Sequence, residues 1–144
     1  MKYSRQREAI KQYLSSRIDH PTADAIYMAL REEQPNLSLG TVYRNLSLLS
    51  SMGEIRKIRC GDGADHFDAD IRPHYHVICS RCGKVEDLPM EVLDSLNGLA
   101  SSFYEGDIHG HSTLFYGTCR ECMEKENFSK KQLTNETSNA ILKQ

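Results

Sequence analysis

Apolar residues in the first fifty positions recur with the period of an α-helix. On the first two segments they are Ile10 and Leu14, then Ala23, Ile26, Tyr27 and Leu30. Thr22 is predicted to cap the second helix, and the pair Pro35-Asn36 to end it. Ser38 is predicted to cap a third helix that runs to Gly53, a residue type favoured directly after a helix. The first part of the chain is therefore predicted to form three helices.

The predicted third helix has one apolar side and one mostly polar side. At about 100° per residue, the apolar side, which is predicted to face a core, holds Leu39, Val42, Leu46 and Leu49. The opposite side holds Thr41, Arg44, Asn45 and Leu48. Tyr43 lies at the border between the two sides, so its position alone leaves open whether it joins the core or the surface.

A period of two replaces the helical period after Gly53. Residues 54–59 alternate as a strand does, and a Gly-Asp-Gly turn at 61–63 leads to a second short strand around residues 66–68. Three helices followed by a hairpin is the winged-helix arrangement, in which the third helix reads DNA and the hairpin forms the wing. Residues 1–71 are therefore predicted to form a winged-helix DNA-binding domain.

The remainder of the chain predicts a second, mixed module. Strands are expected at 74–79, 84–88 and 113–118, and a helix at 91–103 whose apolar side holds Val92, Leu93, Leu96 and Leu99. Residues 72–124 are thus predicted to form a small α/β domain, and residues 125–144 a polar, partly frayed tail. The predicted fold class is α+β.

Composition and charge favour a cytoplasmic, DNA-facing protein. The longest apolar runs fall well short of the roughly 20 residues of a membrane span, and the first residues lack the apolar core of a signal peptide. The chain carries a net charge of −2, divided between +4 over residues 1–60 and −6 over residues 61–144. A basic half followed by an acidic half suits a DNA-binding module joined to a metal-binding one.

Four of the five cysteines form two CxxC pairs. Cys79 and Cys82 make the first pair, and 36 residues separate it from Cys119 and Cys122. In a reducing cytosol, closely spaced cysteines are more often metal ligands than disulfides. Four thiolates from two tight turns complete a tetrahedral cage, which predicts a structural Zn²⁺ ion. The alternative is a redox dithiol in one pair and no joint role for the other.

A second set of metal-binding residue types is spread over both modules. His74 and His76 are two apart on a predicted strand and share one face. Asp68 precedes them on the second wing strand, Asp87 follows the first cysteine pair, and His20 lies between the first two helices. Three imidazoles and two carboxylates suit Fe²⁺, Mn²⁺ or Zn²⁺. Each residue alone has an ordinary surface explanation, so the prediction depends on the whole set.

Several segments resemble the ferric uptake regulator family. They are His20 to Tyr27 (HPTADAIY), Ser38 to Leu46 (SLGTVYRNL), and His74 to Lys84, which contains HYHVIC and CGK. The likeness runs from about residue 3 to residue 124. It implies a dimeric repressor, with a winged helix joined to an α/β dimerisation domain, that binds a palindromic operator on double-stranded DNA when a regulatory metal is present.

Individual ligands indicate which branch of the family the chain resembles. The peroxide-sensing branch uses three histidines and two aspartates, which match His20, Asp68, His74, His76 and Asp87 here. This match implies regulation by Fe²⁺ or Mn²⁺, with iron-driven oxidation of His20 or His74 as the peroxide signal. An iron- or zinc-uptake regulator is the alternative within the family. Three residues keep it open: Cys60, His109 and His111.

The predicted DNA-facing surface lies on the third helix and the wing. Expected DNA contacts are Arg44 and Lys57, with Thr41, Tyr43 and Asn45 close by.

A metal hydrolase is one alternative class of protein, because His and Asp on strands also build hydrolytic sites. No positioned general base stands out, however, and no enzyme is expected. A structural zinc-ribbon module is the other alternative, and it leaves the His and Asp residues without a role.

Overall fold

A computed structural model describes residues 4–61 and 63–142, with the backbone alone for residues 136–142. The helices are α1 (Arg5–Ser15), α2 (Ala23–Leu30), α3 (Leu39–Ser51), α4 (Ser95–Ser101) and α5 (Arg120–Leu142). The strands are β1 (Arg56–Ile58), β2 (His66–Asp68), β3 (Tyr75–Cys79), β4 (Val85–Leu88) and β5 (Leu114–Gly117). The α+β class is therefore confirmed, whereas the boundaries at 71 and 124 stay a prediction.

Hydroxyl caps start the amino-terminal helices. Thr22 Oγ1 accepts a hydrogen bond from the Ala25 amide at 3.2 Å, and Ser38 Oγ accepts one from the Thr41 amide at 3.1 Å, as the sequence predicted. Gly53, at φ 73°, follows the end of α3 in the left-handed conformation that glycine adopts readily. The predicted end of α2 is wrong: the helix stops at Leu30, and a turn fills the residues before Pro35.

The three helices and the wing share one core. Its fully buried side chains come from all three helices: Ile10, Leu14, Ile26, Val42, Leu46 and Leu49. Phe67 of β2 joins them, so the wing packs on the helices and is not a detached hairpin. Leu39 was expected in this core but is 36% exposed, at the first position of α3. Tyr43 is exposed, which settles the open question of its position.

The wing is shorter than the sequence pattern suggested. β1 and β2 pair antiparallel over three residues each, with Lys57 opposite Phe67. The backbone amide of Phe67 also donates to the Pro21 carbonyl at 3.0 Å, and Thr22 forms an isolated antiparallel bridge with His66. The segment leading into α2 is therefore fastened to the wing.

β3 is the central strand of the second sheet, whose order is β4-β3-β5. It pairs antiparallel with β4, placing His76 opposite Asp87, and parallel with β5, placing Cys79 opposite Gly117. This register brings one end of β3 to the His and Asp residues. The other end meets the junction of β5 and α5, where Cys119 directly precedes α5 and Cys122 lies in its first turn, not in the separate tight turn that the sequence suggested.

The carboxyl-terminal helices differ from the sequence expectation. α4 is shorter than the predicted 91–103 helix, and none of its described residues is buried. The segment expected to be a frayed tail is helical as far as Leu142, and Glu126 of that helix forms an ion pair with Arg81 beside the first cysteine pair. Within residues 4–61 and 63–142, no helix combines the length and apolar character needed to cross a membrane.

Candidate metal centres

The five His and Asp residues singled out in the sequence converge at one point. They are His20 before α2, Asp68 at the end of β2, His74 just before β3, His76 in β3 and Asp87 in β4. One ligand atom from each lies within 4.8 Å of all the others. Four of the five side chains are largely buried, whereas the side chain of Asp87 is 53% exposed.

All three imidazoles present the same atom to the same two carboxylates. The Nε2 atoms of His20, His74 and His76 lie 3.1, 3.0 and 3.0 Å from Asp68 Oδ2. The same atoms lie 3.0, 3.1 and 3.3 Å from Asp87 Oδ1. The cluster therefore offers three nitrogens and two oxygens facing a common centre.

Backbone carbonyls orient two of these imidazole rings through hydrogen bonds to Nδ1, the ring nitrogen that faces away from the cluster. Nδ1 of His20 lies 3.1 Å from the Val85 carbonyl oxygen, and Nδ1 of His74 lies 2.6 Å from that of Arg72. Each Nδ1 therefore carries the proton and donates, which leaves the Nε2 lone pair for a metal. Sequence reasoning missed both partners, because a backbone carbonyl leaves no trace in residue identity.

His20 adopts an uncommon backbone conformation for the position it occupies. Its φ is 51°, in the left-handed region, where a non-glycine residue costs roughly 1–2 kcal/mol. Its side chain is only 3% exposed and reaches from the helical module to residues of β2 and β4. Such strain persists only where the surrounding contacts hold it, and it is concentrated at functional sites.

The charges in the cluster reinforce one another. Burial lowers the pKa of His20, but the Asp68 carboxylate, followed by that of Asp87, outweighs burial and moves the pKa above 6.5. Burial raises the pKa of Asp68, yet hydrogen bonds from His20 and His76 hold it far below its usual value. Asp68 is thus ionised at neutral pH, as a metal ligand must be.

Donor spacing and chemistry fit a five- or six-coordinate divalent ion. With metal–ligand distances of about 2.1 Å, neighbouring ligands lie about 3.0 Å apart at right-angle positions and about 3.4 Å apart in a tetrahedron. The six N···O distances given above run from 3.0 to 3.3 Å, nearer the first arrangement. Mixed imidazole and carboxylate donors suit Fe²⁺ or Mn²⁺, so the residues fit the regulatory metal that the sequence suggested.

The four paired cysteines also converge, at the far end of β3. Their sulfur atoms lie within 4.8 Å of one another, and those of Cys82 and Cys119 are 3.8 Å apart. A tetrahedral zinc site with Zn–S bonds of about 2.3 Å requires about 3.8 Å between sulfurs. Gly83, at φ 79°, allows the first turn to close, and its amide donates to the Cys79 carbonyl at 2.9 Å.

The pKa values of the thiols in this group favour binding of a cation. The backbone amides of Cys82 and Cys119 donate to Cys79 Sγ and lower the pKa of Cys79 to about 6. The neighbouring Cys119 side chain raises the pKa of Cys122 to about 12. One thiolate therefore forms easily and the next ones resist, since negative charges accumulate at one point. A divalent ion removes that repulsion, and four sulfur donors fit Zn²⁺.

The three residues left open by the sequence lie outside both groups. Among the residues that the structure describes, neither metal-capable group includes Cys60, His109 or His111. Burial raises the pKa of the Cys60 thiol, and Cys60 Sγ lies 3.6 Å from the Ile58 carbonyl oxygen. His111 is hydrogen-bonded to Tyr75 Oη at 2.5 Å and to Asn97 Oδ1 at 2.6 Å, while His109 is exposed.

The expected DNA contacts lie on α3 and the wing. Tyr43 and Arg44 are exposed on α3, and Thr41 and Asn45 are half-buried beside them. Arg44 Nη2 donates to Thr41 Oγ1 at 3.0 Å, which holds the guanidinium against the start of the helix. Lys57 is on β1, at the half-buried position that precedes buried Ile58. These positions leave the guanidinium, phenol and ammonium groups available to a ligand.

The amino-acid sequence is similar to one protein family and to individual members with related names. The profile of the ferric uptake regulator family matches residues 1–116. The peroxide-responsive repressor PerR of Staphylococcus epidermidis is 41% identical over 122 residues, covering 85% of this chain and 81% of the relative. That of Staphylococcus aureus strain USA300 is 40% identical over 120 residues, covering 83% and 81%.

Solved structures agree with the sequence relatives. The Campylobacter jejuni peroxide stress regulator superposes with a TM-score of 0.68 at 29% identity, covering 81% of this chain and 88% of that one. The Helicobacter pylori ferric uptake regulator superposes with a TM-score of 0.73 at 24% identity, covering 85% and 83%. The latter likeness speaks for the fold alone.

Proposed function

Because the chain belongs to the ferric uptake regulator family, we propose that it is a metal-dependent repressor of transcription that senses peroxide. The observation that carries this proposal is the cluster of three imidazoles and two carboxylates. Its five residues are the ones proposed to hold Fe²⁺ or Mn²⁺: His20, Asp68, His74, His76 and Asp87. The four paired cysteines are proposed to hold a structural Zn²⁺.

The regulatory cluster spans the segments whose relative position sets DNA binding. His20 comes from the helical module and Asp68 from the wing, whereas His76 and Asp87 come from the second sheet. Occupancy of the cluster therefore favours the arrangement in which all these segments meet, and a ligand shifts a conformational equilibrium by its differential affinity for one state. In a homodimer, that arrangement sets the spacing of two α3 helices on a palindromic operator.

Side chains of α3 and the wing are proposed to contact DNA. Arg44 is exposed and held at the start of α3, and a guanidinium matches the acceptor pair of guanine or a phosphate. Lys57 is proposed to contact the phosphate backbone from the wing. Thr41, Tyr43 and Asn45 complete the proposed surface.

Peroxide sensing is proposed to use the ligands themselves. Fe²⁺, when bound, would supply the electron that cleaves the O–O bond of peroxide, whereas Mn²⁺ would not. One peroxide oxygen atom would then be added to a ring carbon of a neighbouring imidazole, and the other would leave as water. Asp87 is the ligand with an exposed side chain, so solvent-borne peroxide reaches the cluster from its side. Oxidation of the His20 or His74 ring would make its nitrogen a poorer metal donor, and the segments would then be held together less firmly.

The test is DNA binding by the zinc-containing protein loaded with Fe²⁺ or with Mn²⁺, before and after dilute peroxide. The probe is a duplex selected from random sequences by the Mn²⁺ form. We expect peroxide to abolish binding by the Fe²⁺ form alone, with one oxygen atom added to the peptide that holds His20 or His74.

Asp87→Glu should bind the duplex with either metal but lose most of its peroxide sensitivity, because the longer side chain moves the exposed carboxylate.

Binding that survives peroxide in the Fe²⁺ form would contradict peroxide sensing. If binding then followed the supply of iron or zinc, the protein would be an uptake regulator of the same family. Unchanged peroxide sensitivity of Asp87→Glu would count against the role given to that carboxylate.

A further inference from the structure

His66 lies at the start of β2, beside the regulatory cluster but outside it. Its Nδ1 atom is 2.6 Å from the backbone carbonyl oxygen of His20. A carbonyl oxygen only accepts hydrogen bonds, so Nδ1 of His66 carries the proton and donates. The side chain of one histidine therefore holds the backbone of another.

The backbone of His20 has an unusual conformation. Its φ of 51° is uncommon for any residue with a side chain, and the following Pro21 further favours extended backbone at this position. In this conformation the carbonyl of His20 faces His66 and its Nε2 atom faces Asp68 and Asp87. A change in this backbone would move the imidazole away from the other ligands.

β2 fastens this segment along its length. Thr22 forms a bridge with His66, and the Phe67 amide donates to the Pro21 carbonyl at 3.0 Å. The next residue of the strand is Asp68, which the proposed function makes a metal ligand. The spacing between His20 and Asp68 therefore depends on how closely residues 20–22 follow β2.

We propose that His66 is a positioning residue for the regulatory metal, holding His20 in its left-handed conformation through the hydrogen bond to its carbonyl. The inference rests on the proposed function, since it takes His20 to be a ligand. His66 itself contributes no ligand atom to the converging group. It acts from the wing, so it ties the geometry of the metal site to that of a DNA-facing element.

The experiment measures Mn²⁺ affinity of the full zinc-containing chain, with free Mn²⁺ followed by electron paramagnetic resonance. His66→Leu removes the donor, whereas His66→Asn keeps an N–H group at a similar distance from the backbone. His109→Leu makes the same change at an exposed histidine and serves as the matched control. We expect His66→Leu to weaken binding about tenfold, as loss of a partner outside the ligand shell does. His66→Asn should recover most of that loss, and His109→Leu should bind as the unaltered chain does.

Equal affinity of His66→Leu and the unaltered chain would overturn this inference alone. Failure of the unaltered chain to bind Mn²⁺ would overturn the proposed function, and this inference with it. Nitrogen-15 NMR of the metal-free unaltered chain gives a readout that needs no variant, which matters if His66→Leu does not fold. The proton must be found on Nδ1 of His66, and a proton on Nε2 alone would exclude the proposed hydrogen bond.

Discussion

At the scale of single residues, His20 and Asp68 form a buried pair of opposite charge within the proposed metal site. Both side chains are buried, and their nitrogen and oxygen atoms are 3.1 Å apart. Together with Asp87, Asp68 raises the pKa of His20, and a proton on His20 then occupies the place of a metal ion. The metal-free protein is thus stabilised by the same carboxylates that we propose as ligands of the ion.

This pairing predicts a signed pH dependence for the metal-free protein with its zinc retained. Because folding raises the pKa of His20 above 6.5, its contribution to stability is complete below pH 6.5 and is lost as pH rises through the raised value. We expect the difference in free energy of unfolding between the unaltered chain and His20→Gln to shrink from pH 6 to pH 8.5. Urea titrations measure it, and a difference that grows with pH would contradict the assignment.

The residue types indicated which side chains could be metal ligands, but they did not indicate how the imidazole rings are oriented. The spacing in HYH and CxxC places side chains on one face or in one turn whatever the rest of the fold does. The carbonyls of Arg72 and Val85 orient His74 and His20 through backbone atoms, which any residue possesses. The left-handed conformation of His20 is equally invisible in the sequence, since histidine before proline favours extended backbone.

At the scale of elements, a hydrogen-bond network joins β3 to the region of α4. Tyr75 Oη accepts from the Leu93 amide at 3.0 Å and contacts His111 Nε2 at 2.5 Å. His111 Nδ1 in turn donates to Asn97 Oδ1 at 2.6 Å, so the Tyr75 hydroxyl is the donor to Nε2. The network accounts for His111 without a metal ion.

Removing the Tyr75 hydroxyl should therefore affect stability. Tyr75→Phe leaves the Leu93 amide and His111 Nε2 without this partner, and we expect a loss of about 1–3 kcal/mol in the free energy of unfolding. Tyr43→Phe is the matched control, because Tyr43 is 47% exposed on α3, away from the second module, and without DNA present it should change stability by less than about 0.5 kcal/mol. Denaturant titration compares the two variants, and equal effects would show that the network contributes nothing specific.

Elements with strong local signals were predicted well, and those without were not. Thr22 and Ser38 cap helices through their own hydroxyls, so the starts of α2 and α3 could be found in the sequence. The end of α2 is set by a turn that carries no glycine or proline at its start, and the prediction ran on to Pro35. α5 is helical despite its weak apolar pattern, and the Arg81–Glu126 ion pair is one contact that fastens it.

At the scale of the whole molecule, the second module leaves an apolar surface uncovered. The exposed side chains come from α4, β5 and the segments around them: Leu93, Leu96, Leu99, Phe103, Phe115 and Tyr116. We expect this group of exposed side chains, named here the apolar patch, to contact another protein. In a family of dimeric regulators, a second copy of the chain is the expected partner.

A charge within this patch should dissociate the dimer. We expect the unaltered protein to sediment at twice its chain mass of 16.4 kDa, and Leu96→Glu to sediment as a single chain. Ile18→Glu is the control, because Ile18 is exposed before α2, outside the patch, and this variant should remain dimeric. A monomeric unaltered protein, or dissociation of both variants alike, would contradict this interface.

A two-module organisation could be predicted from the sequence because the two parts of the chain differ in periodicity and in charge. The contacts between the two modules could be predicted from the sequence only in part. His20 was singled out as a residue type, but its long reach to Val85 and Asp87 depends on the fastening of residues 20–22 to β2. Backbone contacts between residues far apart in the chain leave no recognisable pattern in the neighbouring amino-acid sequence.

The central claim is that one divalent ion is held by five side chains drawn from both modules. Anomalous diffraction from crystals of the Mn²⁺-loaded protein tests it most directly. The account predicts a manganese peak about 2.2 Å from the donor atoms of His20, Asp68, His74, His76 and Asp87. A peak that excludes His20, or one that lies at His109 and His111 instead, would contradict it.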